Sequence, residues 1–171
     1  MTLRRAFLWT WISGFVLFGL VISLSLPLVL TDVPGGIVDH QAAGTAAEVD
    51  RIQTAWRLAG LWNWAAIAMI GDLVFIGVYG VGCLLGGLTF RRSLSGFGRV
   101  LGTAALVGGA IFLVTDYIET IAQIIQLWRF SGNDTLASLA ASVRPTKTLS
   151  WIVATSSVLA ALAMEGRAHR T

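Results

Sequence analysis

Long apolar runs separated by short polar stretches set the pattern of this chain. Four runs stand out, at about residues 6–30, 61–88, 100–127 and 147–164. A helix crosses a bilayer with roughly 20 predominantly apolar residues, so each run predicts one span. The first run is free of charge and follows Arg4 and Arg5, as a secretory leader would. It is too long for a leader's apolar core and no A-x-A site follows, so it reads as a retained helix ending near Pro27. The second run is broken by Asp72, and the third contains Asp116 and Glu119.

The polar stretches carry their own signals. Residues 31–60 open with the turn Pro34-Gly35-Gly36. Thr45-Ala46-Ala47-Glu48 then reads as a capping box, in which Thr45 and Glu48 each take the other's backbone amide. Val49, Ile52, Trp56 and Ala59 follow at helical spacing, with Asp50, Arg51, Gln53 and Arg57 between them. The pattern predicts a short amphipathic helix over about 46–59, lying on the outer membrane surface or packed on the ends of the spanning helices. In residues 129–146, Ser131-Gly132-Asn133-Asp134 reads as a turn and 136–143 as a helical turn or two. Pro145 then fits the first turn of the fourth span, where a missing amide costs little. No repeat or linker divides the chain, so the expected architecture is one all-α domain, 1–171. It is an integral membrane bundle of four transmembrane helices with a short outer amphipathic helix.

Composition agrees with this picture. Of 171 residues 56% are hydrophobic and 12% charged. A soluble domain carries about 25% charged residues, which excludes an ordinary cytosolic globule or a disordered tail. The formal net charge of +3 comes from arginines thinly spread between apolar runs, a distribution that sets orientation and does not bind nucleic acid. Arg4, Arg5, Arg91, Arg92, Arg99, Arg167 and Arg170 fall on one side of four alternating spans, with Glu165 as that side's acid. The other side mixes Arg51, Arg57, Arg129 and Arg144 with Asp32, Asp39, Glu48, Asp50 and Asp134. Positive-inside bias therefore predicts a multi-pass protein of the cytoplasmic membrane with both termini in the cytoplasm. Trp9, Trp11, Trp62, Trp64 and Trp128 stand at run edges, where an indole suits the water–lipid interface. Cys83 is a single cysteine, which excludes an intrachain disulfide and CxxC chemistry. His40 and His169 match no zinc spacing, so no metal or cofactor is expected, and His40 reads as a solvated loop residue. Gly82-x-x-x-Gly86, with Gly77 and Gly87 nearby, permits close helix approach.

Candidate chemistry lies in the polar residues inside the spans. An acid at the bilayer centre costs roughly 2.5–3.5 kcal/mol on insertion scales, so each demands a reason. Asp116, Glu119, Gln123 and Gln126 recur at spacings of three or four, one polar stripe continued by Phe112, Gly109 and Ala105. Asp72, Phe75 and Tyr79 share a face of the second run, and Lys147, Ser150, Ala154 and Ser157 a face of the fourth. Turned inward together, these stripes would gather Asp72, Tyr79, Asp116, Glu119, Gln123 and Lys147 around one interior volume. That set is either a polar network fixing helix register or a binding site.

Several short motifs resemble those of an uncharacterised group of bacterial four-helix integral membrane proteins with an intramembrane D-x-x-E motif. They are Gly35-Gly36-Ile37, Ala43-Gly44-Thr45 leading to Ile52 and Trp56, Asp72-x-x-Phe75 with Tyr79, Asp116-x-x-Glu119, and Lys147. Thr120 stands where that group often has Asn. The resemblance implies the four-helix fold and the same residue shortlist, and no particular reaction.

Three functions fit these residues. The first is a non-catalytic membrane protein that binds a hydrophobic ligand or a partner helix around the acidic cluster, as in a subunit of an envelope complex. The second is proton- or cation-coupled transport by a homo-oligomer, with Asp72, Asp116 and Glu119 as relay and Lys147 as counter-charge. The third is an intramembrane enzyme acting on a lipid-like substrate, with Asp116 or Glu119 as general acid/base and Tyr79 or Lys147 as donor. The partners common to all three are lipids of the bilayer.

Overall fold

The computed structural model describes residues 2–168; His169 and Arg170, weighed above for zinc spacing and topology, lie outside the described residues. Its regular elements are helical: α1 (Leu3–Ser25), a 3-10 turn (Leu26–Leu28), α2 (Ile37–Ala42), α3 (Ala46–Leu58), α4 (Trp62–Ser93), α5 (Gly96–Arg129) and α6 (Asp134–Ala168). Four of them are long and apolar enough to cross a membrane. Pro27 falls in the 3-10 turn that closes the first span, as its fixed φ and missing N–H dictate. Arg91 and Arg92 prolong α4, and Arg129 prolongs α5, beyond the apolar runs. Cations in a last turn complement the helix dipole.

The fourth helix differs most from expectation. It starts at Asp134 and runs through Pro145, so Pro145 is interior and does not open the span. The start signal is Asn133, whose Oδ1 accepts the Leu136 amide at 3.0 Å. Ala137 and Ala140 recur on a buried face of this first stretch.

The chain divides into two compact units, to both of which each long helix contributes. The first comprises Met1–Phe15, Ile76–Val114 and Thr146–Thr171. Glycines let its helix backbones approach closely. A Cβ on Gly82 would meet the Trp11 backbone nitrogen at 2.9 Å, and one on Gly87 the Leu106 nitrogen at 2.6 Å. Phe7 packs edge-on against Phe90, and Arg4 joins Glu165 at 2.7 Å across α1 and α6.

The second unit comprises Val16–Phe75 and Thr115–Pro145. The predicted amphipathic helix is α3, and its apolar face is not spread on lipid. Val49, Ile52 and Trp56 are buried in one cluster with Leu28, Met69 and Leu127. The Trp56 indole N–H donates to the Leu28 carbonyl at 2.9 Å, which satisfies its polar edge inside that cluster. Thr45 caps α3 by accepting the Glu48 amide at 3.3 Å. The reciprocal half of the box is replaced, because both Glu48 carboxylate oxygens go to Arg51. Asp134 accepts the Ala46 amide at 2.7 Å and Asp50 the Gly132 amide at 2.5 Å, tying the start of α3 to the α5–α6 connection.

Two helices in this unit end in the same Schellman arrangement. At the end of α3, Leu61 N–H donates to Trp56 and Gly60 N–H to Arg57, with Gly60 at φ +72°. At the end of α5, Ser131 N–H donates to Gln126 and Phe130 N–H to Leu127, with Phe130 at φ +51°. The left-handed position is ordinarily glycine's. A side chain there costs roughly 1–2 kcal/mol, so Phe130 is a strained exception.

Candidate functional site

The polar stripe of α5 is buried as its spacing predicts. In the second unit Asp116 is 3% exposed and Glu119 0%, and Thr120, Gln123 and Gln126 are equally enclosed. Phe112 and Ala105 continue the buried face of α5 in the first unit. The periodicity is the cause. Positions three and four apart return to one face, and this face is turned from the one that carries Val114, Ile121 and Trp128.

Hydrogen bonds link the stripe to its surroundings in the second unit. The Thr120 hydroxyl donates to Asp72 Oδ2 at 3.1 Å, so α4 and α5 meet through the residue beside Glu119. Gln123 Nε2 donates to Glu119 Oε1 at 3.4 Å, one helical turn apart. Gln126 donates to the Ala122 carbonyl, and its Oε1 accepts the Asn133 amide at 2.9 Å. The Tyr117 hydroxyl donates to the Leu73 carbonyl at 3.2 Å, a second link between α4 and α5. Polar side chains thus follow α5 for some ten residues, from Asp116 to the turn beyond Gln126.

Tyr79 and Lys147 belong to the first unit. Tyr79 is fully buried, with edge-on contacts to Phe15 and Phe112 at centroid distances of 5.5 and 5.3 Å. Its hydroxyl shares a 2.5 Å hydrogen bond with Thr155 of α6. Lys147 is half-buried on α6, and its carbonyl accepts the Ser150 hydroxyl. The structure therefore joins Asp72 to the α5 stripe within one unit and places Tyr79 in an aromatic setting within the other.

His40 corrects the sequence reading. It is 1% exposed, because α2 lays it against α3 with its ring 5.2 Å from that of Trp56. His40 Nε2 and Gln53 Nε2 lie 3.2 Å apart, while His40 Nδ1 and Gln53 Oε1 are buried without a hydrogen-bond partner. Burial alone pushes its pKa down from 6.5 to about 4, which keeps the ring neutral. A six-residue helix preceded by two glycines carried no readable amphipathic pattern, so its burial was hidden. Nearby, an open depression is bordered by Asp39, Glu48 and Arg51. Asp39 accepts the Gly35 amide there and Glu48 is paired with Arg51, so their polar atoms serve the loop itself.

No protein-family model, curated protein or solved structure matches this chain. Fold and composition define a multi-pass helical membrane protein.

Proposed function

We propose that this chain is a non-catalytic protein of the bacterial inner membrane that binds a hydrophobic ligand bearing a hydrogen-bonding group at the acidic stripe of α5. The observation that carries the reading is the burial of Asp116 and Glu119 side by side on a helix apolar enough to span the bilayer. Two acids at that depth cost roughly 5–7 kcal/mol at about 2.5–3.5 each. Interhelical polar pairs in membranes return on average about 0.6 kcal/mol each, too little to justify them as register devices. A bound polar group whose hydrogen bonds they satisfy supplies the balance. Both termini lie on the cytoplasmic side. The Arg4–Glu165 pair, which joins the two ends of the chain within one unit, supports an even number of crossings.

Native mass spectrometry of the gently solubilised full chain tests this proposal. Wild type should retain a lipid-like small molecule, and Asp116→Asn with Glu119→Gln should lose it. A bare protein from wild type, equal retention by the variant, or an added polypeptide in place of the small molecule overturns the reading.

The length of the polar run favours one second reading, proton-coupled transport along α5. Unchanged proton flux in liposomes on Asp116→Asn and Asp72→Asn would exclude it.

A further inference from the structure

Where α3 and α5 end, the second unit carries an exposed group that the buried stripe does not use. Trp62, the first residue of α4, stacks on Phe130 with ring centroids 5.2 Å apart and planes at 27°. Trp128 meets Trp62 edge-on at 6.1 Å. The Arg57 guanidinium lies 5.0 Å from the centre of the Phe130 ring. Half of the Phe130 surface and nearly half of Trp128 remain open, and Leu58, next to Arg57, is 86% exposed.

Two features make this more than a surface cluster. Among the described residues the Arg57 guanidinium enters no hydrogen bond or ion pair, so its five N–H donors are presented unused beside open aromatic surface. The ring that positions it sits in the left-handed slot of a Schellman motif, which α3 fills with Gly60. A ring held against backbone preference, steering an unused cation, indicates a retained purpose.

We propose that Arg57, Trp62, Trp128 and Phe130 form a binding site for a phospholipid headgroup. The guanidinium takes the lipid phosphate in a bidentate hydrogen bond, for which its planar fork is suited. The indoles and Phe130 lie at the glycerol level, the depth that aromatic side chains favour. Leu58 and the exposed Ile121 and Val114, on the α5 face that carries Trp128, meet the acyl chains. The occupant is a lipid and not a soluble anion, because Trp128 of the cluster stands on the same open apolar face of α5 as Ile121 and Val114, along a helix of spanning length. The site is separate from the acidic stripe, so either proposal can fail without the other.

The test uses native mass spectrometry of the full chain in detergent with added phosphatidylglycerol. A diacyl glucosyl glycerol, which lacks phosphate, and inorganic phosphate serve as the two comparison probes. Wild type should hold one phosphatidylglycerol above the level of the glycolipid. Arg57→Gln should weaken that binding about tenfold, the worth of one lost charge-assisted bond. Phe130→Gly relieves the left-handed strain and removes the ring. It should melt no lower than wild type yet lose several-fold in phosphatidylglycerol retention. Equal retention by wild type and Arg57→Gln overturns the proposal. So does equal retention of the glycolipid, or displacement of phosphatidylglycerol by millimolar inorganic phosphate. A Phe130→Gly protein that binds normally removes the ring from the site and overturns it as stated.

Discussion

Lowering the pH from about 7.5 to about 5 is expected to loosen α2 from α3, because it forces a proton onto His40 in a site built for the neutral ring. The ring is enclosed between Trp56 and Gln53, and desolvation is the one cause of its lowered pKa, with no carboxylate or cation contributing. An unfolded or detached His40 takes a proton at about 6.5, while the packed one resists until about 4. Above the higher value both states are neutral and stability is flat. Between the two values the open state binds more protons, so stability falls with falling pH. Below the lower value the loss is complete. Each pKa unit is about 1.4 kcal/mol, which sets the full penalty at roughly 3–4 kcal/mol. By about pH 5 the linkage relation already places about 2 kcal/mol of it on the α2–α3 contact.

Glu48 does not confuse this window. The Arg51 hydrogen bond holds its carboxyl below the ordinary 4.5, so its contribution is lost only at lower pH. Amide hydrogen exchange of residues 37–58 in the full chain, corrected for the intrinsic pH effect on exchange, reads the opening directly. Protection should fall about thirtyfold over this range, the equivalent of about 2 kcal/mol. His40→Phe keeps an aromatic ring beside Trp56 and cannot titrate. It should show lower protection at every pH, through the lost Gln53 bond, but no slope. A wild-type slope that persists in His40→Phe would refute the reasoning, and so would a flat wild-type profile.

Two further substitutions probe the packing of the long helices. Gly87→Ala places a methyl group 2.6 Å from the Leu106 nitrogen, and should lower the thermal midpoint in detergent by the equivalent of about 1–3 kcal/mol. Gly19→Ala, with nothing within 4 Å, should leave it unchanged or gain up to about 1 kcal/mol, and equal effects of the two would sink the close-approach argument. Pro145→Ala restores an N–H to the Ala141 carbonyl inside α6 and should stabilise the protein by up to about 3 kcal/mol, whereas no gain in a thermal melt would mean that the proline costs nothing there.

What was legible in the chain, and what was not, follows from the range over which each signal acts. Hydropathy is additive along a run, so the four spans could be read, and three- and four-residue spacing placed Asp116, Glu119 and Gln123 on one buried face of α5. The meeting of Asp72 with Thr120 depends on how α4 lies against α5, information that no single run contains. The start of α6 was missed for a local reason. Pro145 is a strong opening signal and Asn133 a weaker one, but Asn133 is satisfied by the Leu136 amide, while Ala137 and Ala140 find a buried face. Packing there outweighs the loss of one backbone bond at the proline. His40 shows the same competition in the opposite sense, since a residue usually solvated in loops is enclosed because α3 offers it Trp56 and Gln53. Phe130 marks the limit of local rules, because at its left-handed φ only Gly60's kind of residue would have been expected. Where tertiary contacts override a local preference, the override must be compensated. At His40 the compensation is a core that tolerates only the neutral ring. At Phe130 it is a stack on Trp62 that leaves the Arg57 cation facing outward.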